Sequence, residues 1–110
     1  MSPPAAQQWE ITRKHPRARL MTQVESRTSG ATGLGRADNI SLGGLLVLSR
    51  ETFDTKTEVV VRFNLPGGHH IEAQAIVVHT QPGDRMGIEF IHLKDDDRKA
   101  IAQFVQQACE

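Results

Sequence analysis

The strongest constraint on the fold lies between residues 56 and 91, where three runs of alternating apolar and polar residues are separated by two short proline-glycine turns. In Lys56–Leu65 the side chains of Thr57, Val59, Val61, Phe63 and Leu65 share one face and those of Lys56, Glu58, Arg62 and Asn64 the other, with only Val60 out of step. A period of two is that of a half-buried strand. Pro66-Gly67-Gly68 combines a preset φ with residues that tolerate positive φ, and so predicts a hairpin into His69–Thr80 with Ile71, Ala73, Ala75 and Val77 inward. Gln81-Pro82-Gly83-Asp84 predicts a second turn into Arg85–Ile91, with Met86, Ile88 and Phe90 buried. These three strands are therefore expected to be consecutive antiparallel neighbours.

The flanking sequence extends the sheet. Ala18–Glu25 alternates, Leu20 and Val24 facing one way and Arg19, Gln23 and Glu25 the other; Ser26–Gly35, with three glycines and four Ser/Thr, reads as a loop. A short strand is expected to run to about Ser41 and a buried one through Gly44–Ser49. Asp95-Asp96-Asp97 suits a helix N-terminus, and Ile101, Phe104, Val105 and Ala108 then recur at helical spacing as one apolar stripe. Five or six antiparallel strands with one terminal helix, in a chain of 110 residues, predict a single all-β domain closed into a small barrel, since closure removes exposed edges. The domain is expected over residues 11–110, after a flexible tail at 1–10 with two prolines and two glutamines.

Many function classes are disfavoured. The chain has no Walker-type phosphate loop, no G-x-S-x-G and no H-E-x-x-H. Gly30, Gly33 and Gly35 read G-x-x-G-x-G, the reverse of a dinucleotide fingerprint, with no helical pattern after them. His69 and His70 are adjacent in the hairpin and read as solvated residues with no metal-ligand spacing, and Cys109 sits beside the carboxylate of Glu110 with no base to activate it. The expectation is a non-enzyme without a cofactor or metal. No apolar stretch spans a bilayer and no secretory signal is visible, so a cytoplasmic location is expected. Formal charge is balanced, but residues 1–50 hold seven bases against three acids and residues 51–110 six against ten. Four of the bases lie within Arg13–Arg19, which favours a small anionic ligand over a long nucleic acid.

Two polar clusters could bind such a ligand. In Arg13-Lys14-His15-Pro16-Arg17 the proline opposes a helix, so an irregular segment is expected to present two guanidinium forks that match phosphate or the O6 and N7 acceptors of guanine. In Asn39-Ile40-Ser41-Leu42-Gly43-Gly44, strand alternation would place the Asn39 and Ser41 side chains together on the exterior with Ile40 in the core, and Gly44 would permit a tight turn or the close approach of a ligand. Taken singly, the two clusters are better read as a solvated basic segment and an Asx-type turn than as a binding site.

Together, Arg13-x-x-x-Arg17, twenty-one residues, and Asn39-x-Ser41-x-x-Gly44 resemble the two-part signature of the PilZ family, bacterial receptors for cyclic di-GMP. The resemblance extends to His15-Pro16-Arg17, to Gly43-Gly44-Leu45, to Met86-Gly87-Ile88-Glu89-Phe90 and to a closing helix, over Ile11 to about Ala108. It implies a six-stranded antiparallel PilZ-type barrel with a C-terminal α-helix, binding cyclic di-GMP on its outside. It further implies that Arg13 and Arg17 contact guanine edges and phosphates, that Asn39 and Ser41 bond a guanine, and that Gly44 gives it room, with Lys14 as a lesser phosphate contact. The family often has Asp where this chain has Asn39, and a carboxylate is the stronger acceptor for guanine N1–H and N2–H.

The implied role is a receptor that changes its N-terminal surface on binding the nucleotide and signals to a partner protein, with no membrane, DNA or RNA partner expected. The alternative from the same family is an interaction module that does not bind nucleotide, against which the intact motif positions argue. A single-stranded nucleic-acid barrel is disfavoured by five aromatic residues without a tyrosine, all four Phe fitting core positions.

Overall fold

The computed structural model describes residues 17–108. Six strands and one helix are found there: β1 (Ala18–Arg27), β2 (Thr32–Ile40), β3 (Gly44–Leu48), β4 (Glu58–Asn64), β5 (His70–Gln81), β6 (Arg85–His92) and α1 (Asp95–Ala108). All six pairings are antiparallel and close a barrel in the order β1-β2-β3-β6-β5-β4. The meander β4–β5–β6 follows the alternation that its sequence shows. Val59, Val61 and Phe63 of β4, Ile71, Ala73, Ala75 and Val77 of β5, and Met86 and Ile88 of β6 are all buried. Gly67, Gly68 and Gly83 take φ of 103°, 101° and 74°, values that cost a side-chain-bearing residue more. The first turn is closed by Leu65 N–H to His69 C=O at 2.8 Å and the second by Asp84 N–H to Gln81 C=O at 2.9 Å.

The barrel lumen is the core. Val24, Ile40, Leu45, Val47, Val61, Ile71, Val77 and Met86 fill it, and α1 closes one end by adding Ile101 and Val105 to the same cluster. Each such side chain contributes about 1.5–3 kcal/mol on leaving water. Three aspartates in the first turn of α1 oppose the positive end of its dipole.

Several expectations need correction. The loop foreseen at Ser26–Gly35 shrinks to a turn at residues 28–31, closed by Thr28 N–H to Ala31 C=O at 2.8 Å. Gly33 and Gly35 are strand residues, because β2 pairs with β1 along this stretch; the neighbouring chain crowds Gly33 and leaves no room for a side chain at Gly35. Lys56 and Thr57 precede β4, with Lys56 at φ 74°. Phe63 is buried, whereas Phe53, Phe90 and Phe104 pack only partly against the core, and Ala108 is exposed at the end of the helical stripe. His69 and His70 are surface residues but not merely solvated: the His69 ring Nε2 lies 2.9 Å from Asp97 Oδ1, and His70 Nδ1 lies 2.9 Å from Asn64 Oδ1.

Candidate functional site

The site grows from an irregularity in two strands. Arg19 pairs with Asn39 and Thr22 with Ala37, so residues 20 and 21 of β1 stand opposite Asp38 alone, and Met21 adopts φ 56°. On the other edge of β2, Ala37 pairs with Val47 and Asn39 with Leu46, so there Asp38 is itself the extra residue. A bulge lets two successive side chains leave by the same face. Ala37 and Ile40 are fully buried, while Asp38 and Asn39 between them are both half-buried and outward.

Arg17 stands immediately before β1, and its Nη1 donates to Asn39 Oδ1. The Asn39 amide nitrogen donates in turn to Asp38 Oδ2 at 3.0 Å, which fixes the amide with its oxygen towards Arg17. Arg19 Nη2 lies 3.8 Å from Asp38 Oδ1 with its side chain 74% exposed, a geometry and exposure that make this pair weak. Arginine, amide and carboxylate thus form one chain on the barrel exterior. Its guanidinium can donate to phosphate or to a purine Hoogsteen edge, and its carboxylate retains acceptor capacity for N–H groups.

Of the residues singled out from sequence, Arg17 and Asn39 are brought into contact and Arg13 and Lys14 lie outside the described residues. Ser41 does not stand beside Asn39 on the exterior as alternation implied. It follows the end of β2, is 3% exposed, and its hydroxyl accepts the Gly43 N–H at 3.0 Å while its own N–H donates to Gly44 C=O at 2.9 Å. Its hydroxyl therefore shapes the β2–β3 turn at Leu42-Gly43. Gly44 has a structural reason of its own: a Cβ there would lie 1.9 Å from the carbonyl oxygen of Ile88, so β6 fills the space that its missing side chain leaves. Asp38 was missed by sequence reasoning. The signal was present, since Ala37-Asp38-Asn39-Ile40 puts two polar residues between two apolar ones where strict alternation allows one.

A groove of about 820 Å³ lined by Met21, Leu34, Arg36, Leu48, Arg50 and Asp84 among others contains none of Arg17, Asp38, Asn39, Ser41 and Gly44. Among the described residues no group of three His, Cys, Asp or Glu side chains is arranged to hold a metal ion, and no helix is long and apolar enough to cross a membrane.

Comparison with known proteins agrees with the architecture. The inhibitor of motility MotI/DgrA of Bacillus subtilis superposes with a TM-score of 0.76 at 22% identity, over 86% of this chain and 50% of that one, so the present chain spans half its length. The PilZ domain of YcgR from Escherichia coli, solved with c-di-GMP, gives 0.72 at 13% identity over 88% and 91%. PlzA of Borreliella burgdorferi, in complex with c-di-GMP, gives 0.69 at 16% over 91% and 43%. No curated protein matches the chain. The family model for the PilZ domain matches residues 11–107, almost the whole chain and both polar clusters, and with the six-stranded barrel and its closing helix this shows that the chain belongs to the PilZ domain family.

Proposed function

We propose that this chain is a cytoplasmic receptor for cyclic di-GMP that acts by presenting a changed surface to a partner protein and catalyses no reaction. The observation that carries this reading is the Arg17–Asn39 hydrogen bond, which joins the second arginine of the first cluster to the first residue of the second across 22 positions of sequence. Likeness to the c-di-GMP complexes of YcgR and PlzA supports the ligand, and likeness to an inhibitor of motility supports action through a partner. In this reading Arg13 and Arg17 supply forked donors to phosphate and to guanine O6 and N7, and Lys14 adds attraction for phosphate. Asn39 and Asp38 together offer an amide and a carboxylate to the guanine N1–H and N2–H. Ser41 and Gly44 act through the β2–β3 turn, the serine by bonding Gly43 and the glycine by letting β6 approach, and so hold Asn39 at its height on the wall.

Calorimetric titration of the chain with cyclic di-GMP tests the proposal, with GTP and cyclic di-AMP as controls. Saturable binding of cyclic di-GMP with neither control competing is expected. A chain that is folded but silent towards cyclic di-GMP overturns it, in favour of an interaction module that needs no nucleotide.

A further inference from the structure

Four large apolar side chains are exposed among the described residues: Met21, Leu34, Val78 and Ile91. Scattered exposed apolar residues are ordinary, but these are not scattered. Three of them are the extra residues at register shifts: Met21 between Arg19 and Thr22 of β1, Val78 between Val77 and His79 of β5, and Ile91 of β6 opposite the Gln74/Ala75 step. A bulged residue has no cross-strand partner to lie against, so its side chain is left to solvent or to another molecule.

The four also fall into two pairs on opposite walls. Met21 and Leu34 line the groove described above together with half-buried Leu48, and Arg36 and Arg50 line it too. Val78 and Ile91 lie on the outside of β5 and β6 near half-buried Ile76, which pairs with Glu58 on one side and Glu89 on the other. In the closed order β1-β2-β3-β6-β5-β4, strands β2 and β5 are three apart in either direction. The first patch, centred on β2, and the second, centred on β5, therefore face away from each other.

The two patches carry opposite charge. In the groove the acid Asp84 is held by Arg85 Nε at 2.9 Å. On the second wall the arginines of β1 and β4, Arg27 and Arg62, both turn to Glu25 at 3.7 Å. Among the described residues no ion pair reaches Arg36, Arg50, Glu58 or Glu89. Each wall thus has an apolar centre and two charges that the fold does not answer, basic on one and acidic on the other.

We infer that the two walls are the complementary halves of one interface, the acidic β4–β5–β6 face of one chain seating in the basic β1–β2–β3 groove of a second copy. Val78 and Ile91 of one copy cover Met21 and Leu34 of the other, while Glu58 and Glu89 meet Arg36 and Arg50. Such a contact joins unlike patches and is heterologous. Because the patches face apart, every added copy leaves one of each open, and assembly continues past the dimer. The inference goes beyond the receptor reading and uses neither Arg17 nor Asn39.

Analytical ultracentrifugation of the full chain without nucleotide tests it. At low salt the weight-average mass should rise with concentration past that of a dimer. Salt at about 1 M, where the screening length is about 3 Å, should weaken the association at least about tenfold. Charge reversal then reads the pairing. Arg36→Glu with Arg50→Glu makes both walls acidic, and Glu58→Lys with Glu89→Lys makes both basic. All four positions are exposed, so Tm should hold. Each reversed chain alone should be a monomer, and an equimolar mixture of the two should associate again. A parent chain that is a monomer at every concentration overturns the inference and leaves the patches to a different protein. So does association indifferent to salt, which is apolar aggregation, and so does a folded reversed pair that fails to associate on mixing or self-associates like the parent. Should a reversed chain not fold, Arg50→Gln and Glu58→Gln take its place. Each should weaken association of the parent by about threefold, and no effect from either overturns the inference.

Discussion

Two hairpins of the same barrel, β4–β5 and β1–β2, are built on different terms. The first runs in unbroken register from Glu58 opposite Ile76 to Asn64 opposite His70, and its inward residues are those that alternation assigns. The second slips between Arg19 and Thr22, where Met21 takes a left-handed φ and Asp38 answers two residues of β1. Regular pairing maximises burial and leaves every outward residue separated from the next by an inward one. The irregular hairpin gives up one ladder step and gains two adjacent polar side chains, Asp38 and Asn39, on one face. Within one sheet, the β4–β5 hairpin thus specialises in core and the β1–β2 hairpin in display.

The comparison breaks most readily if the core of the first hairpin and the display of the second prove to be the same thing. Ile71 of β5 is fully buried opposite Phe63. Ile71→Ala should cost about 2–5 kcal/mol of stability through lost burial and a residual cavity, measured by denaturant unfolding. At a temperature where the variant is folded, affinity for cyclic di-GMP should be unchanged, and a matching loss of affinity would show that the core shapes the site directly. Arg17→Ala is its mirror image. It removes a charge-assisted forked donor and should cost about 2–4 kcal/mol of binding with at most about 1 kcal/mol of stability. A variant that binds normally, or that simply unfolds, would remove Arg17 from the site.

The difference between the hairpins also decides what could be read from sequence. The meander was legible because alternation and proline-glycine turns are local signals, and each strand in it has a neighbour adjacent in sequence. The glycines of β2 misled because their use is not local: Gly35 stays in a strand since Leu48 and Ser49 crowd it from β3 and just beyond, and composition alone reads as a loop. Asn39 was singled out through its motif, and the structure puts it in contact with Arg17 of the first cluster. Asp38 was not, because its outward direction depends on a bulge. Ser41 lies beyond the strand end, and the alternation that placed it beside Asn39 no longer applies there. His69 and Asp97, 28 residues apart, meet only because α1 folds back over the β4–β5 turn.

The bulge changes what substitution at position 39 should do. Considered alone, Asn39→Asp offers two carboxylate oxygens to a guanine and is expected to keep or tighten binding. The Asn39 amide nitrogen, however, donates to Asp38 Oδ2 at 3.0 Å, so an aspartate there would set two carboxylates against each other. Asn39→Ala should weaken cyclic di-GMP binding by about 1–2 kcal/mol. Asn39→Asp should gain little in the native chain and more when Asp38 is also changed to Ala, a coupling that a double-mutant cycle measures by calorimetry. Additive effects would mean that the two residues act independently and that the bulge has no part in the site.

The smallest effect belongs to the regular hairpin, at the point where it is tied to the helix. The Asp97 side chain is 9% exposed and lies in the first turn of α1, 2.9 Å from the ring of His69 just before β5. His69→Ala removes the partner of a nearly buried carboxylate, a loss that in isolation costs about 1–3 kcal/mol. Two features moderate it: the helix dipole favours a negative charge in the first turn, and His69 is 40% exposed, so water can take its place. A cost of about 1 kcal/mol follows, or a fall in Tm of about 4–8 °C for a domain of this size. Because the link joins the β4–β5 turn to α1 and touches neither β1 nor β2, amide exchange should quicken at Asp97–Ile101 while affinity for cyclic di-GMP stays that of the parent. An affinity that fell with the helix contact would mean that the two hairpins are coupled through α1, and the division between core and display would fail at that end of the barrel.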